Sequence, residues 1–346
     1  MYLFHNDYNM SCHPAILEKI SAGTGQQYPG YGGDAVCKNA ADLIREACKA
    51  PDADVHFLVG GTQSNLTVTA AALRPHQALL GAESAHVNVH ETGAIEATGH
   101  KVVTLPSADG KLTAAQIQDR LTLQAEDENA EHGVQIKMVY ISHPTELGTT
   151  YTREELEAIR QVCDRFGVYL FMDGARLGYA LAACDNDLSL ADIARLCHVF
   201  YIGGTKLGSL FGEAVVISEP VIKADFRYLI KQRGAMLAKG WLLGQQFEAF
   251  FEDGLYFRIG SHANKLADRL RATLGELGYP LFFPGTTNQV FAVLPDALLE
   301  KLSCDFTFML QEKTDADHSA VRFCTSWATT EESMQALCEK LRKLTT

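Results

Sequence analysis

Val199-Phe200-Tyr201-Ile202-Gly203-Gly204-Thr205-Lys206-Leu207-Gly208 is the stretch from which the fold can be read. An apolar, aromatic-rich run ends in two glycines, a threonine and one lysine. Such a run reads as a buried strand. A lysine at its exit is costly to desolvate, so the fold must have a use for it. Most lysines are surface residues, and this one taken alone reads as structural. Two segments upstream alter that reading.

Val168-Tyr169-Leu170-Phe171-Met172-Asp173-Gly174-Ala175-Arg176 is a second apolar run, and it ends in a carboxylate. Asp173 either pairs with a buried cation or caps the helix that follows. Phe57-Leu58-Val59-Gly60-Gly61-Thr62-Gln63-Ser64-Asn65 reads as strand, glycine turn and helix start. Free backbone N–H groups and the positive helix end make that junction a phosphate site, or else an ordinary turn capped by Thr62 or Ser64. It is neither a P-loop nor a Gly-x-Gly-x-x-Gly fingerprint, which argues against a nucleotide-binding dehydrogenase. In open α/β sheets, ligands sit at the carboxyl ends of strands, and all three groups fall at such ends. Pyridoxal phosphate (PLP) has a phosphate, a ring nitrogen and an aldehyde, and would use all three. A desolvated lysine with a lowered pKa would form its Schiff base, and the aspartate would keep the ring nitrogen protonated so that the ring acts as an electron sink.

The chain has 346 residues, which suits a large domain plus a smaller one. A formal net charge of −12 argues against nucleic acid or an anionic membrane surface as a partner. Met1 to Asn6 lacks the positive start and long apolar core of a signal peptide, and no apolar run approaches bilayer-spanning length. Nine cysteines, scattered singly, read as reduced thiols of a cytoplasmic protein. Cys12, Cys163, Cys184, Cys197, Cys304 and Cys324 sit among apolar residues and are expected in the core.

Residues 1–15 read as an N-terminal arm, 16–250 as a large domain and 251–346 as a small α+β domain. Helices are expected at Pro14 to Ser21 and Val36 to Ala47. Strands are expected at 55–59, 78–82, 101–105, 136–142, 168–172, 198–202 and 213–218, with helices at 63–73, 88–97, 113–123, 152–165 and 189–195. This alternation predicts a mainly parallel, doubly wound sheet. Helical periodicity resumes from Lys223 through Phe251. Then come a helix from Asn264 to Leu277, strands near Leu281–Phe283, Gln289–Val293 and Val321–Ser326, and a helix from Glu331 to Leu344.

From about Phe4 to about Trp327 the chain resembles the PLP-dependent L-threonine aldolases, in the β-eliminating lyase group of fold type I enzymes. The resemblance is carried by Asn6-Asp7-Tyr8, Tyr28-Pro29-Gly30-Tyr31-Gly32-Gly33-Asp34, the Gly60 to Asn65 loop, Ala85-His86-Val87-Asn88, His143 to Gly148, Met172 to Arg176 and Gly204-Thr205-Lys206. It implies an aspartate aminotransferase-like fold, PLP as cofactor and retro-aldol cleavage of β-hydroxy-α-amino acids. The alternative is a β-eliminating lyase or a phenylserine-type aldolase. By this resemblance Lys206 carries the cofactor, Asp173 holds the ring nitrogen, Gly61, Thr62 and Gln63 bind the phosphate, and His86 stacks on the ring. Arg176 and Arg322 anchor the substrate carboxylate, with Asn6 close to the substrate. Tyr31 contacts the cofactor, in the same subunit or across a dimer interface, and Lys231 or Arg233 reaches a neighbouring subunit's phosphate. The assembly is expected to be a homodimer or homotetramer. His86 and His90, four residues apart, could suggest a metal pair, but a third ligand is absent and no metal is expected. The chain departs from the family at Glu146, which stands where many members have a histidine. The base that takes the hydroxyl proton is therefore open among His86, His143, Glu146 and a held water.

Overall fold

A computed structural model describes residues 1–345. Seven strands form the central sheet: β1 (Asp54–Leu58), β2 (Gln77–Ala82), β3 (Val102–Leu105), β4 (Gln135–Ser142), β5 (Tyr169–Asp173), β6 (Val199–Gly203) and β7 (Glu213–Ile217). Their spatial order is β1-β7-β6-β5-β4-β2-β3, and only β7 runs antiparallel to its neighbours. Helices cover both faces, so strands such as Gln77–Ala82 and Val199–Gly203 are buried along their whole length and read as continuous rather than alternating apolar runs. The helices between them carry their own punctuation. Arg153–Phe166 starts on a capping box made by Thr152 and Glu155, and it ends at Gly167 with φ 61°.

The antiparallel strand matters for function. β1, β4, β5 and β6 deliver their carboxyl ends to one edge of the sheet, and β7 delivers its first residue, Glu213, to the same edge. Sheet polarity thus brings a buried carboxylate from a strand start beside groups from four strand ends.

The smaller sheet is antiparallel, built from β8 (Leu281–Phe283), β9 (Gln289–Pro295), β10 (Met309–Lys313) and β11 (His318–Cys324) in the order β10-β11-β9-β8. One apolar core surrounds the large sheet and extends to Ala263. A second gathers Leu266, Val290, Val321, Met334 and the N-terminal Phe4. The helix Leu255–Glu276 contributes to both, Ala263 to one and Leu266 to the other. The arm Tyr2–Leu3 pairs in parallel with Phe306–Thr307, which fastens the chain start to the smaller unit.

Several elements differ from expectation. The helix expected at 88–97 is a single turn, His86–Val89, followed by a 3₁₀ turn at Glu96–Thr98. Thr92 (φ 55°) and Gly93 (φ 73°) take left-handed conformations that no helix can continue through. The helical run expected from Lys223 to Phe251 is three helices, Pro220–Lys223, Phe226–Gln232 and Trp241–Glu252, interrupted at Asp225 (φ 58°) and Gly234 (φ 73°). The helix Asp296–Leu302 and the strand β10 were not anticipated. All nine cysteines are free, but Cys184 and Cys304 lie at the surface rather than in the core.

Candidate active site

A cavity of about 340 Å³ opens at the shared sheet edge, lined by the loop after β1, by residues of β4, β5, β6 and β7 and by the N-terminal arm. Lys206 sits in a 3₁₀ turn, Thr205–Leu207, directly after β6. Gly212 and Glu213 clamp that turn: the Gly204 N–H donates to the Gly212 carbonyl at 3.0 Å and to Glu213 Oε2 at 2.9 Å. The Thr205 hydroxyl donates to Glu213 Oε1 at 3.0 Å. A Cβ on Gly204 would lie 2.6 Å from the Gly212 carbonyl, so the close approach requires glycine. Among the described residues, the Lys206 ammonium makes no hydrogen bond or ion pair. Burial lowers its pKa, and Arg176 adds to the effect against the opposing charges of Asp7, Asp173 and Glu213.

Asp173, at the end of β5, is only 5% exposed. Its carboxylate accepts from the Tyr140 hydroxyl at 2.5 Å, Asn65 Nδ2 at 3.1 Å and the Ala175 N–H at 2.9 Å. Burial alone would raise its pKa. The neighbouring His86 and the hydrogen bonds, including one from Tyr201, outweigh burial and keep it below the ordinary value. The carboxylate is therefore held ionised in a dry setting, ready to pair with a cationic N–H.

Gly60 precedes the helix Gly61–Ala72, whose first N–H groups have no intrahelical acceptor and face the cavity rim formed by Gly60, Gly61 and Thr62. Gly61 packs so closely that a Cβ there would lie 3.0 Å from the Tyr201 hydroxyl. Gln63 is turned away from the cavity. It accepts from the Val59 N–H at 3.2 Å and donates to the Arg233 carbonyl at 3.1 Å, which braces the loop. Tyr31 lies outside this cavity, on a separate one of about 460 Å³. There the Lys231 ammonium sits 4.7 Å from the centre of its ring.

His86 opens the short helix and lines the cavity. Its backbone N–H donates to Glu146 Oε1 at 3.0 Å, an oxygen that also accepts from the Ser142 hydroxyl at 2.6 Å. Burial raises the Glu146 pKa, and the nearby Asp173 charge adds to that against the Ser142 hydrogen bond. His143 is not brought to the cavity. Its ring is fully buried, with Nδ1 accepting from the Tyr151 N–H at 3.3 Å, and burial holds its pKa near 4.

The arginines occupy different settings. Arg176 makes a bidentate pair with Asp7, Nε–Oδ2 at 2.6 Å and Nη2–Oδ1 at 2.9 Å, and Asn288 also donates to Asp7, at 2.9 Å. Burial would raise the Asp7 pKa. Arg176 and Lys206 reverse this and hold it at about 2. Arg322 on β11 donates to Gln289 Oε1 at 3.2 Å and, among the described residues, makes no ion pair; its Nε is buried without a partner. Asn6 uses its side chain to accept from the Tyr8 N–H at 3.0 Å, so it is Tyr8 that lines the cavity.

Sequence reasoning gave no role to Asp7, Glu91 or Glu213. Glu213 carried a signal that could have been used: a charged residue opening an apolar strand needs a reason to be there. Burial pushes its pKa up to about 8, against the hydrogen bonds from Gly204 and Thr205.

A desolvated amine with no partner among the described residues, an ionised buried carboxylate and a glycine cradle at a helix start around one cavity fit PLP at its aldehyde, ring nitrogen and phosphate. They define a fold type I, PLP-dependent lyase. Residues 13–297 match the beta-eliminating lyase family, and the chain belongs to it. It is 31% identical to the low specificity L-threonine aldolase of Pseudomonas aeruginosa, over 97% of this chain and 96% of that one. A solved structure of Leishmania major threonine aldolase superposes with a TM-score of 0.97 at 48% identity, over the whole of both chains. Aspartate aminotransferase from Thermus thermophilus, with a TM-score of 0.73 at 16% identity over 99% of this chain and 91% of that one, shares the fold. Among the described residues no helix is long and apolar enough to cross a membrane.

Proposed function

We propose that this lyase cleaves the Cα–Cβ bond of L-threonine, L-allo-threonine and related β-hydroxy-α-amino acids, giving glycine and an aldehyde. The observation that carries this reading is the unpaired Lys206 amine at a cavity that Asp173 also lines. The two threonine aldolases to which the chain is similar over nearly its full length give the reaction class.

Bound at Lys206, PLP would supply an electron sink for the bond that breaks. The chain's own residues do the remainder. Asp173 holds the ring-nitrogen proton. The N–H groups following Gly60, with the Thr62 hydroxyl, take the phosphate. Arg322, which makes no ion pair among the described residues, would take the substrate carboxylate by turning a guanidinium whose NH groups now rest on Gln289, the His5 carbonyl and Met309. Arg176 can assist only through Nη1, because Asp7 holds its other edge. The proton on the β-hydroxyl passes to a base as the Cα–Cβ bond breaks, and Cα then gains a proton to leave as glycine. His143 faces the core, so His86 and Glu146 are the side chains placed to accept that proton. A carboxyl with a raised pKa, such as Glu146, is the stronger base once ionised.

We further propose a homodimer or homotetramer working in the cytoplasm, where nine free thiols stay reduced. Sedimentation velocity would report the assembly. Activity is tested with PLP-loaded protein and each threonine diastereomer. Acetaldehyde and glycine in equal amounts are expected, while pyruvate and ammonia would instead mean β-elimination. Lys206→Ala should remove the visible absorbance of lysine-bound PLP, and a band that persisted would sink the assignment.

A further inference from the structure

Glu91 has a role that neither the sequence pattern nor the reaction assigns. Its side chain is wholly buried, and Oε1 lies 2.8 Å from His86 Nδ1. The same oxygen accepts from Asn65 Nδ2 at 2.7 Å, and that amide nitrogen also donates to Asp173 Oδ2 at 3.1 Å. A continuous buried chain therefore runs Asp173–Asn65–Glu91–His86. The Asn65 orientation is forced, because a flipped amide would aim its oxygen at two carboxylates. The proton positions follow. Oε1 receives one N–H already, and Oε2 is buried without a partner, where an O–H would have no acceptor. Glu91 is thus an acceptor only, and His86 Nδ1 must carry the hydrogen.

The backbone supports this arrangement. The helix that would have carried residue 91 elsewhere stops, and exposed Thr92 is held at φ 55° directly after it. A β-branched residue in that region is strained, and strain of this kind persists where the structure needs a particular direction. Here the turn sends the Glu91 carboxylate to the Nδ1 edge of the His86 ring.

We propose that Glu91 is a positioning residue: it fixes His86 as the Nδ1–H tautomer and so leaves Nε2, the other ring nitrogen, to accept a proton at the cavity that His86 lines. The logic is that of a base oriented by a third group, here a carboxylate. The proposal rests on the cleavage reading for its consequence but not for its structural claim. Glu146 secures the same residue from the other side, through the backbone N–H. The charged and titratable groups around this chain include Asp173 on β5 with its donors Tyr140 and Tyr201, Glu146 beyond β4, and His90 one helical turn on, its ring 5.5 Å from that of His86.

The test is ¹⁵N NMR of histidine-labelled protein, with and without PLP, for the wild type and Glu91→Gln. In the wild type the His86 signals should report a protonated Nδ1 and an unprotonated Nε2. In Glu91→Gln, where one amide must serve two donors, that tautomer preference should weaken or invert. PLP absorbance and thermal midpoint should stay near wild type, and kcat should fall on the order of a hundredfold with little change in KM. An unchanged His86 tautomer in Glu91→Gln, or an Nε2–H tautomer in the wild type, would overturn the proposal whatever reaction the enzyme performs. A tautomer that shifts as stated, in a protein that yields no aldehyde from any β-hydroxy amino acid, would uphold the positioning and sink the cleavage reading.

Discussion

Asp7 holds Arg176 by both oxygens, accepts from Asn288 and lends its charge to Lys206, yet it has no reactive atom of its own. Its folded pKa of about 2 lies below the ordinary value of 3.8, so its ionised form stabilises the fold by about 2 kcal/mol. Because the folded value is depressed, that contribution is complete above pH 3.8 and disappears as pH falls through about 2. Asp7→Asn should therefore lower the unfolding free energy by about 2 kcal/mol at neutral pH. The gap to wild type in urea midpoints should close toward pH 2. A gap that stayed constant with pH would mean that shape, not charge, is what Asp7 provides. Residues of this kind are hard to see in a sequence. Lys206 and Asp173 stand out because each ends an apolar strand. Asp7, Glu91 and Glu213 acquire meaning only from partners that the fold brings from distant parts of the chain.

Elements were legible where one rule governed them. Every strand of the large sheet lies within one or two residues of its expected span, because a continuous apolar run between glycines and polar turns has few other readings. The exposed edge strand Met309–Lys313 has no buried face to give it alternation, so it left no pattern. The helix expected at 88–97 failed because it stops at Val89 and the left-handed Thr92 and Gly93, invisible to periodicity, keep it from resuming. Two changes test this level. Thr92→Asn replaces an exposed β-branched residue at φ 55° with one that tolerates that region, and it should raise stability by about 0.5–1 kcal/mol by urea unfolding. Thr152→Ala removes the capping box of Arg153–Phe166 and should cost about 1 kcal/mol without altering cofactor binding, since that helix starts away from the cavity.

At the scale of the whole molecule, the two cores are joined by one long helix and by the arm. Phe4 fills the smaller core, and its carbonyl accepts from the Cys324 N–H at 2.7 Å, three residues before Asp7 reaches Arg176. The arm thus couples the packing of the smaller unit to the geometry of the cavity. The molecule as a whole also has a predictable acid limit. His143 is buried and His56 and His198 are largely covered, and desolvation holds each near pKa 4, against 6.5 in the unfolded chain. Each has a depressed folded value, so its contribution is present above pH 6.5 and is lost as pH falls toward 4. Glu213, raised to about 8, acts in the opposite sense, favouring the fold below its unfolded value of 4.5 and losing that as pH rises through 8. Glu146, also raised, works the same way. Three histidines held near 4, with His13 and His90 lowered in the same sense, against two raised carboxyls leave a net uptake of about one to two protons on unfolding at intermediate pH. That is a slope of about 1–3 kcal/mol per pH unit. Urea unfolding of the PLP-free protein should therefore show stability falling steadily from pH 6.5 to 4.5. His143→Gln should flatten that slope by about 1.4 kcal/mol per pH unit. A profile that is level across this range would mean that the buried imidazoles take up protons without unfolding the chain.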